Sequence, residues 1–146
     1  MKTRLAKCGT CRQAALKPET IHYAVRLQHD GREYDIDIPD LKVRRCGNCG
    51  AVTLNDEADE RISQALRHAA GLLEPSEIRR QREALGLTQR QLADYLNLAE
   101  STLSRWETGA QIQQRCLDRL LRLFFDVPEV RARLGVPVTE RRKTSA

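Results

Sequence analysis

Four of the five cysteines stand as two C-x-x-C pairs, Cys8-Gly9-Thr10-Cys11 and Cys46-Gly47-Asn48-Cys49. At that spacing both thiolates of a pair can bind one tetrahedral zinc ion, and two pairs make a closed four-sulfur site. With no coordination position left open, such a site is structural: one zinc per chain, contributing folding free energy. Gly9, Gly47, Asn48 and Gly50 tolerate positive φ, which a tight turn around a metal favours. The competing chemistry is redox work by one C-x-x-C or metal sensing, but the redox pattern wants a βαβ context that is absent here. Cys116 has no cysteine partner and shares a helical stretch with Leu117, Leu120 and Leu121, so it is expected to be a buried core thiol. His22, His29 and His68 fall at no ligand spacing. Neither a nucleophile–base arrangement nor a glycine-rich phosphate loop is present, which makes an enzyme the least expected class.

A hairpin must bring the two cysteine pairs together. Ile21, Tyr23, Val25 and Leu27 alternate with polar or small residues, as do Tyr34, Ile36 and Ile38, and Asp30-Gly31 between them is a type I′ turn pair. That turn sets Leu27 opposite Tyr34, Val25 opposite Ile36, Tyr23 opposite Ile38 and Arg26 opposite Asp35. A slip by one residue would place apolar side chains opposite polar ones throughout. After the second pair, Asn55 can cap a helix whose first turn carries Asp56, Glu57, Asp59 and Glu60, favourable at the positive end of its dipole. Ile62, Leu66, Ala69 and Leu73 form its apolar stripe, Gly71 suits its end, and Pro75-Ser76 opens the next helix.

A second constellation follows in residues 88–109. Thr88 and Gln91 make a T-x-x-Q capping box; Leu92, Ala93 and Leu96 face inward, with Ala93 small enough for a close helix crossing. Asn97 can take the left-handed turn and Leu98 plugs the corner. Leu103 and Trp106 anchor a second helix whose first turns project Glu100, Ser101, Ser104 and Arg105, the part that would enter a major groove. These residues resemble the Cro/C1-repressor (XRE) type of helix-turn-helix, notably L-T-Q at Leu87–Gln89 and S-x-x-S-R-W-E-x-G from Ser101 to Gly109. The resemblance implies a phosphate contact by Gln89 and base contacts by Glu100, Ser101 and Arg105, whose guanidinium can donate a bidentate pair to guanine. It also implies an ion pair between Arg82 and Glu107, tying the first helix to the recognition helix. Ala99 stands where Ser or Thr is common, weakening the cap by about 1 kcal/mol. The bland alternative is a small helical bundle with a solvated polar face.

The fold class expected is therefore α+β: a zinc-bound β-hairpin domain at 1–73, then an all-α five-helix helix-turn-helix domain at 74–136, then a basic tail at 137–146. In 146 residues, aromatic side chains reach only 4%, so both cores must be small and aliphatic. The net charge of +5 is compatible with nucleic acid and is spread over both halves. Residues 1–13 are basic without an apolar run, and no 18-residue apolar stretch occurs, so a cytoplasmic protein is expected, on the nucleoid when bound to DNA. Leu117, Leu120, Leu121, Leu123, Phe124 and Phe125 are too many for one buried helix face, which points to a homodimer.

A four-cysteine hairpin domain followed by this helix-turn-helix resembles the MqsA/YgiT-type family of bacterial antitoxins. The resemblance implies that Cys8, Cys11, Cys46 and Cys49 hold zinc, that the N-terminal domain binds a toxin, usually an mRNA-cleaving enzyme, and that the C-terminal domain dimerises and represses the operon. The family's DNA-reading Asn–Arg pair falls on Ser101 and Arg105, so the Asn is lost and the operator sequence does not transfer. Asp35 and Asp37 are expected to be solvated strand carboxylates, with a basic toxin as the other reading. A regulator without a toxin, or one responsive to metal or redox state, would share the same motifs.

Overall fold

The computed structural model describes residues 5–138, which form two compact units, one ending at Gly71 and the other beginning at Leu72. Of the basic tail expected at 137–146, residues 139–146 lie outside the described residues. No helix among the described residues is long and apolar enough to cross a membrane.

The first unit is built on strands β1 (Leu16–His29) and β2 (Arg32–Cys46), with the short β3 (Val52–Thr53) added beside the end of β2. Asp30 and Gly31 adopt φ of 49° and 73°, as a type I′ turn requires. The register pairs Tyr23 with Ile38, Val25 with Ile36, Arg26 with Asp35 and Leu27 with Tyr34. The strands run well past the segments that simple alternation marks out. Ile21 pairs with Leu41 while Tyr23 pairs with Ile38, so Pro39 and Asp40 together oppose His22 in a bulge. Proline cannot donate to a ladder and is tolerated at bulges, so the strand continues past it. The extra residue moves the apolar phase from Ile36 and Ile38 to Leu41 and Val43, and all four are buried on one face.

Helix α1 (Asp56–Ala70) packs on β2. The Asn55 side chain accepts from the Ala58 amide at 2.9 Å, and Gly71 closes the helix at φ 68°. Two ion pairs join helix to strand, Lys42 with Glu57 and Arg61 with Asp40 at 3.0 Å. The Arg61 hydrogen bond holds the Asp40 carboxyl below the usual carboxylate range, so this tie fades as pH falls through that lowered value. The apolar stripe differs from the sequence expectation. Ala69 is exposed, Ala58, Leu66 and Arg67 are buried, and Leu73 lies past the helix in the core of the second unit.

Among its described residues the second unit holds five helices: α2 (Pro75–Ala84), α3 (Gln89–Tyr95), α4 (Glu100–Thr108), α5 (Arg115–Asp126) and α6 (Pro128–Arg133). Its core gathers Ile78, Leu92, Ala93, Leu103, Trp106, Leu121 and Phe124, each almost fully buried. On α5, Leu117 and Leu120 pack against this core, so most of the apolar excess noted in the sequence is absorbed internally. Leu123 is 49% exposed. Cys116 is exposed as well, correcting the expectation of a buried thiol, because it lies on the side of α5 opposite the buried Leu121 and Phe125.

A polar knot that periodicity does not announce sits within this core. Asp118, 3% exposed, accepts from the Leu73 amide (2.8 Å), Gln113 Nε2 (3.0 Å) and Arg122 Nε (2.8 Å). Gln113 Nε2 also donates to the Leu73 carbonyl at 2.8 Å. Together these bonds fasten the first residues of the unit to α5. Asp118→Ala strands two buried donors and is expected to destabilise the second unit by about 3 kcal/mol, measured by urea denaturation.

Candidate metal centre and nucleic-acid interface

The two cysteine turns are near copies of each other in backbone terms. The Cys8 carbonyl accepts from the Arg12 amide and the Cys46 carbonyl from the Gly50 amide, both at 2.9 Å. The Cys8 amide donates to Gln13 O at 2.8 Å and the Cys46 amide to Ala51 O at 2.9 Å. In each turn the residue after the second cysteine is left-handed, Arg12 at φ 61° and Gly50 at φ 73°. Gly47 N donates to Ala15 O at 2.8 Å, joining one turn to the other. Arg45 bonds Glu19 on β1 and donates from Nη1 to Gly50 O, so it braces the second turn; its place in β2 gave no sign of this.

Hairpin closure brings all four sulfurs within 4.8 Å of one another. Cys8 and Cys49 Sγ stand 3.7 Å apart, Cys11 and Cys46 Sγ 3.6 Å. A tetrahedron of sulfurs around a zinc ion with bonds near 2.3 Å has edges of about 3.8 Å, whereas a disulfide needs about 2.05 Å. The spacing fits a metal ion such as zinc. Cys8 and Cys46 are buried with Leu16, Cys11 is half-buried and Cys49 exposed.

The surroundings favour thiolates at the first pair. Backbone amides of Cys11 and Thr10 lower the Cys8 thiol to about 6. The Asn48 side chain, reaching from the other turn, and the Gln13 backbone lower Cys11. At Cys49 the Ala51 amide acts to lower the pKa, but desolvation and the three neighbouring sulfurs push it up to about 11. Four sulfurs this close cannot all be anionic without a cation between them.

The sequence-derived DNA-facing residues lie on α3 and α4. Thr88 and Gln91 form the reciprocal capping box, with bonds of 3.1 and 2.9 Å, and Asn97 takes φ 55° in the turn. Helix α4 starts at Ala99 without a side-chain cap and ends at Gly109 with φ 82°. Leu103 and Trp106 are buried beneath it. Glu100, Ser101 and Arg105 are exposed and Ser104 is half-buried. No ion pair holds the Arg105 guanidinium among the described residues, and its five donors remain available.

Beneath this face, Arg82 and Glu107 form a bidentate pair. Nε reaches Oε1 at 2.6 Å and Nη2 reaches Oε2 at 3.0 Å, while Arg82 Nη1 donates to Leu87 O at 2.7 Å. The Glu107 side chain is only 2% exposed, so the pairing has to be good to offset its desolvation. Glu107 raises the Arg82 pKa further. Gln89 Nε2 donates to the same Glu107 Oε2 at 2.8 Å. One N–H of the Gln89 amide is thereby spent inside the fold, leaving the other N–H and the carbonyl oxygen.

Residues 78–130 match the family model described as helix-turn-helix. The match runs from within α2 to α6 and carries the core and the polar network just described. No curated protein matches the chain. The second unit thus has the fold of a DNA-binding regulator, and the first carries a four-cysteine cluster able to hold a metal ion.

Two measurements bear on the metal centre. Cys46→Ser is expected to cut bound metal to well under one ion per chain and to loosen the hairpin unit, read by metal analysis and near-ultraviolet circular dichroism; an undiminished metal content would overturn the four-sulfur assignment. Arg12→Gly removes a side chain held left-handed and is expected to stabilise the metal-bound first unit by about 1 kcal/mol in thermal denaturation.

Proposed function

We propose that the chain is a homodimeric, zinc-stabilised repressor that acts as the antitoxin of a type II toxin–antitoxin pair. Its C-terminal unit binds double-stranded operator DNA through Glu100, Ser101, Ser104 and Arg105, with Gln89 at a phosphate. Its N-terminal unit holds one structural zinc on Cys8, Cys11, Cys46 and Cys49 and binds a small basic toxin of mRNA-cleaving type. The protein is not an enzyme, and it works in the cytoplasm, on the nucleoid when DNA-bound.

The observation that carries the DNA-binding part is the exposed Arg105, without an ion-pair partner among the described residues, on a helix locked from below by the buried Arg82–Glu107 pair. A long cationic side chain on a rigid helix face suits a bidentate contact to guanine, worth about 1–3 kcal/mol of discrimination. The antitoxin part rests on the order of the units, a four-cysteine hairpin before a helix-turn-helix. Zinc is favoured over other metals because four thiolates at tetrahedral edge lengths are its usual structural set. A regulator with no toxin would share every one of these features, so the partner decides between the two.

Arg105→Ala is expected to weaken operator binding about 10- to 100-fold in a mobility-shift titration while leaving the thermal transition unchanged. Undiminished DNA binding would displace the recognition surface from α4. Purification of the natively expressed protein, with mass spectrometry of its partners, addresses the toxin. Recovery of a stoichiometric small basic protein that arrests growth when expressed alone supports the antitoxin, and a homodimer bearing only metal and DNA supports the regulator.

A further inference from the structure

The outer side of α5 carries a self-complementary pattern. Leu121, Phe124, Phe125 and Asp118 face the core, which leaves Cys116 and Leu123 exposed on the other side, with Leu120, half-buried and packed against the core, completing the apolar line at its edge. Beside that line lie Arg119 and Asp126, both exposed and neither in an ion pair among the described residues. They are one heptad apart, so they differ by only about 20° around the helix and share one flank of the apolar line. Opposite charges on the same flank are spent neither on each other nor on another described side chain.

We propose that α5 pairs antiparallel with α5 of a second copy about a two-fold axis between residues 122 and 123. The proposal deepens the homodimer reading above and rests on it. In an antiparallel pair each flank meets its own copy, so Arg119 reaches the partner's Asp126 and Asp126 the partner's Arg119, two bridges from one two-fold operation. Leu123, at 49% the most exposed large apolar side chain of α5, then sits next to the axis and buries against its own copy. A parallel arrangement sets unlike flanks together and leaves both charges unmatched. The apolar line supplies the burial; the charge pattern selects the direction.

The pairing also fixes where the two Cys116 thiols fall. Each lies 6.5 residues from the axis, so the two are about 20 Å apart along the helices, beyond the reach of a disulfide. A parallel pair would bring them side by side.

The test uses the full metal-bound chain. Arg119→Glu and Asp126→Arg are each expected to weaken dimerisation about tenfold or more in sedimentation equilibrium, and the double variant to restore it. Under mild oxidation, Leu123→Cys in a Cys116→Ser background is expected to cross-link into a dimer on a non-reducing gel, whereas the wild-type Cys116 is not. Failure of the double variant to restore association, or ready cross-linking through Cys116, overturns the antiparallel pairing. A wild-type chain that sediments as a monomer overturns both it and the homodimer, while leaving the Arg105 result to judge DNA recognition separately.

Discussion

The first unit is organised around four sulfurs that the backbone brings within 4.8 Å of one another, close enough that they cannot all be anionic without a cation between them. The 3.6 and 3.7 Å separations arise because β2 ends in one cysteine turn at Cys46, opposite Leu16, while the other turn lies just before β1 and is tied across by the Gly47 N–H to the Ala15 carbonyl. A long two-stranded ribbon is marginal in water unless something clamps its open end, and this one has a single helix on one face. The clamp works in both directions. A cation held there would rely on the ladder to set its edge lengths, and would in turn cancel the repulsion among the sulfurs at the ladder's base. The Cys8 thiol is lowered by backbone amides of its own turn and the Cys11 thiol first by the Asn48 side chain from the other turn, so the two turns together favour thiolates at the first pair.

The second unit handles buried charge differently. Glu107 accepts from Arg82 twice and from Gln89 once, and Asp118 accepts three bonds near the start of the unit. Buried carboxylates with this many partners add modest net stability, because desolvation offsets much of the attraction. Their effect is directional. Hydrophobic burial of Leu103 and Trp106 lets α4 rotate a few degrees at little cost, whereas a bidentate guanidinium pair does not. The knot at Asp118 does the same for the entry into α2 and for α5.

Much of this was legible in the sequence, for reasons that differ from place to place. The hairpin register near the turn could be read because Asp30-Gly31 admits few turn types and each cross-strand pair matched in kind. The distal half could not, because Pro39 reads as a stop and the bulge it occupies inverts the period-two phase at Leu41. Both cysteine turns were visible from spacing, but the part of Arg45 was not, since an arginine in an alternating strand carries no sign of what its tip will bridge. The capping box and the left-handed Asn97 are local chemistry and appeared as local chemistry. Cys116 was misjudged because its i+4 neighbour Leu120 is itself only half-buried at the edge of the core, and the side of α5 that is fully buried runs through Leu121 and Phe125, away from the thiol. Asp118 and Gln113 look like surface residues in a sequence, and only the path of the chain at Leu73 buries them.

The way α4 is held explains how its outer face can be left for recognition. A nine-residue helix is too short to persist alone, and Ala99 gives it no side-chain cap, a deficit of about 1 kcal/mol. Its stability must come from the inner side, through Leu103, Trp106 and the Glu107 carboxylate. Glu100, Ser101 and Arg105 contribute little to that balance, since they are exposed and make no tie into the core. The fold therefore places few demands on the residues that would read bases. Gln89 is the exception, because its amide is bonded to Glu107 and so belongs to the inner network and to the outer surface at once. A group bound to the outer face of that amide would act on the same carboxylate that fixes α4, through the Gln89–Glu107 hydrogen bond.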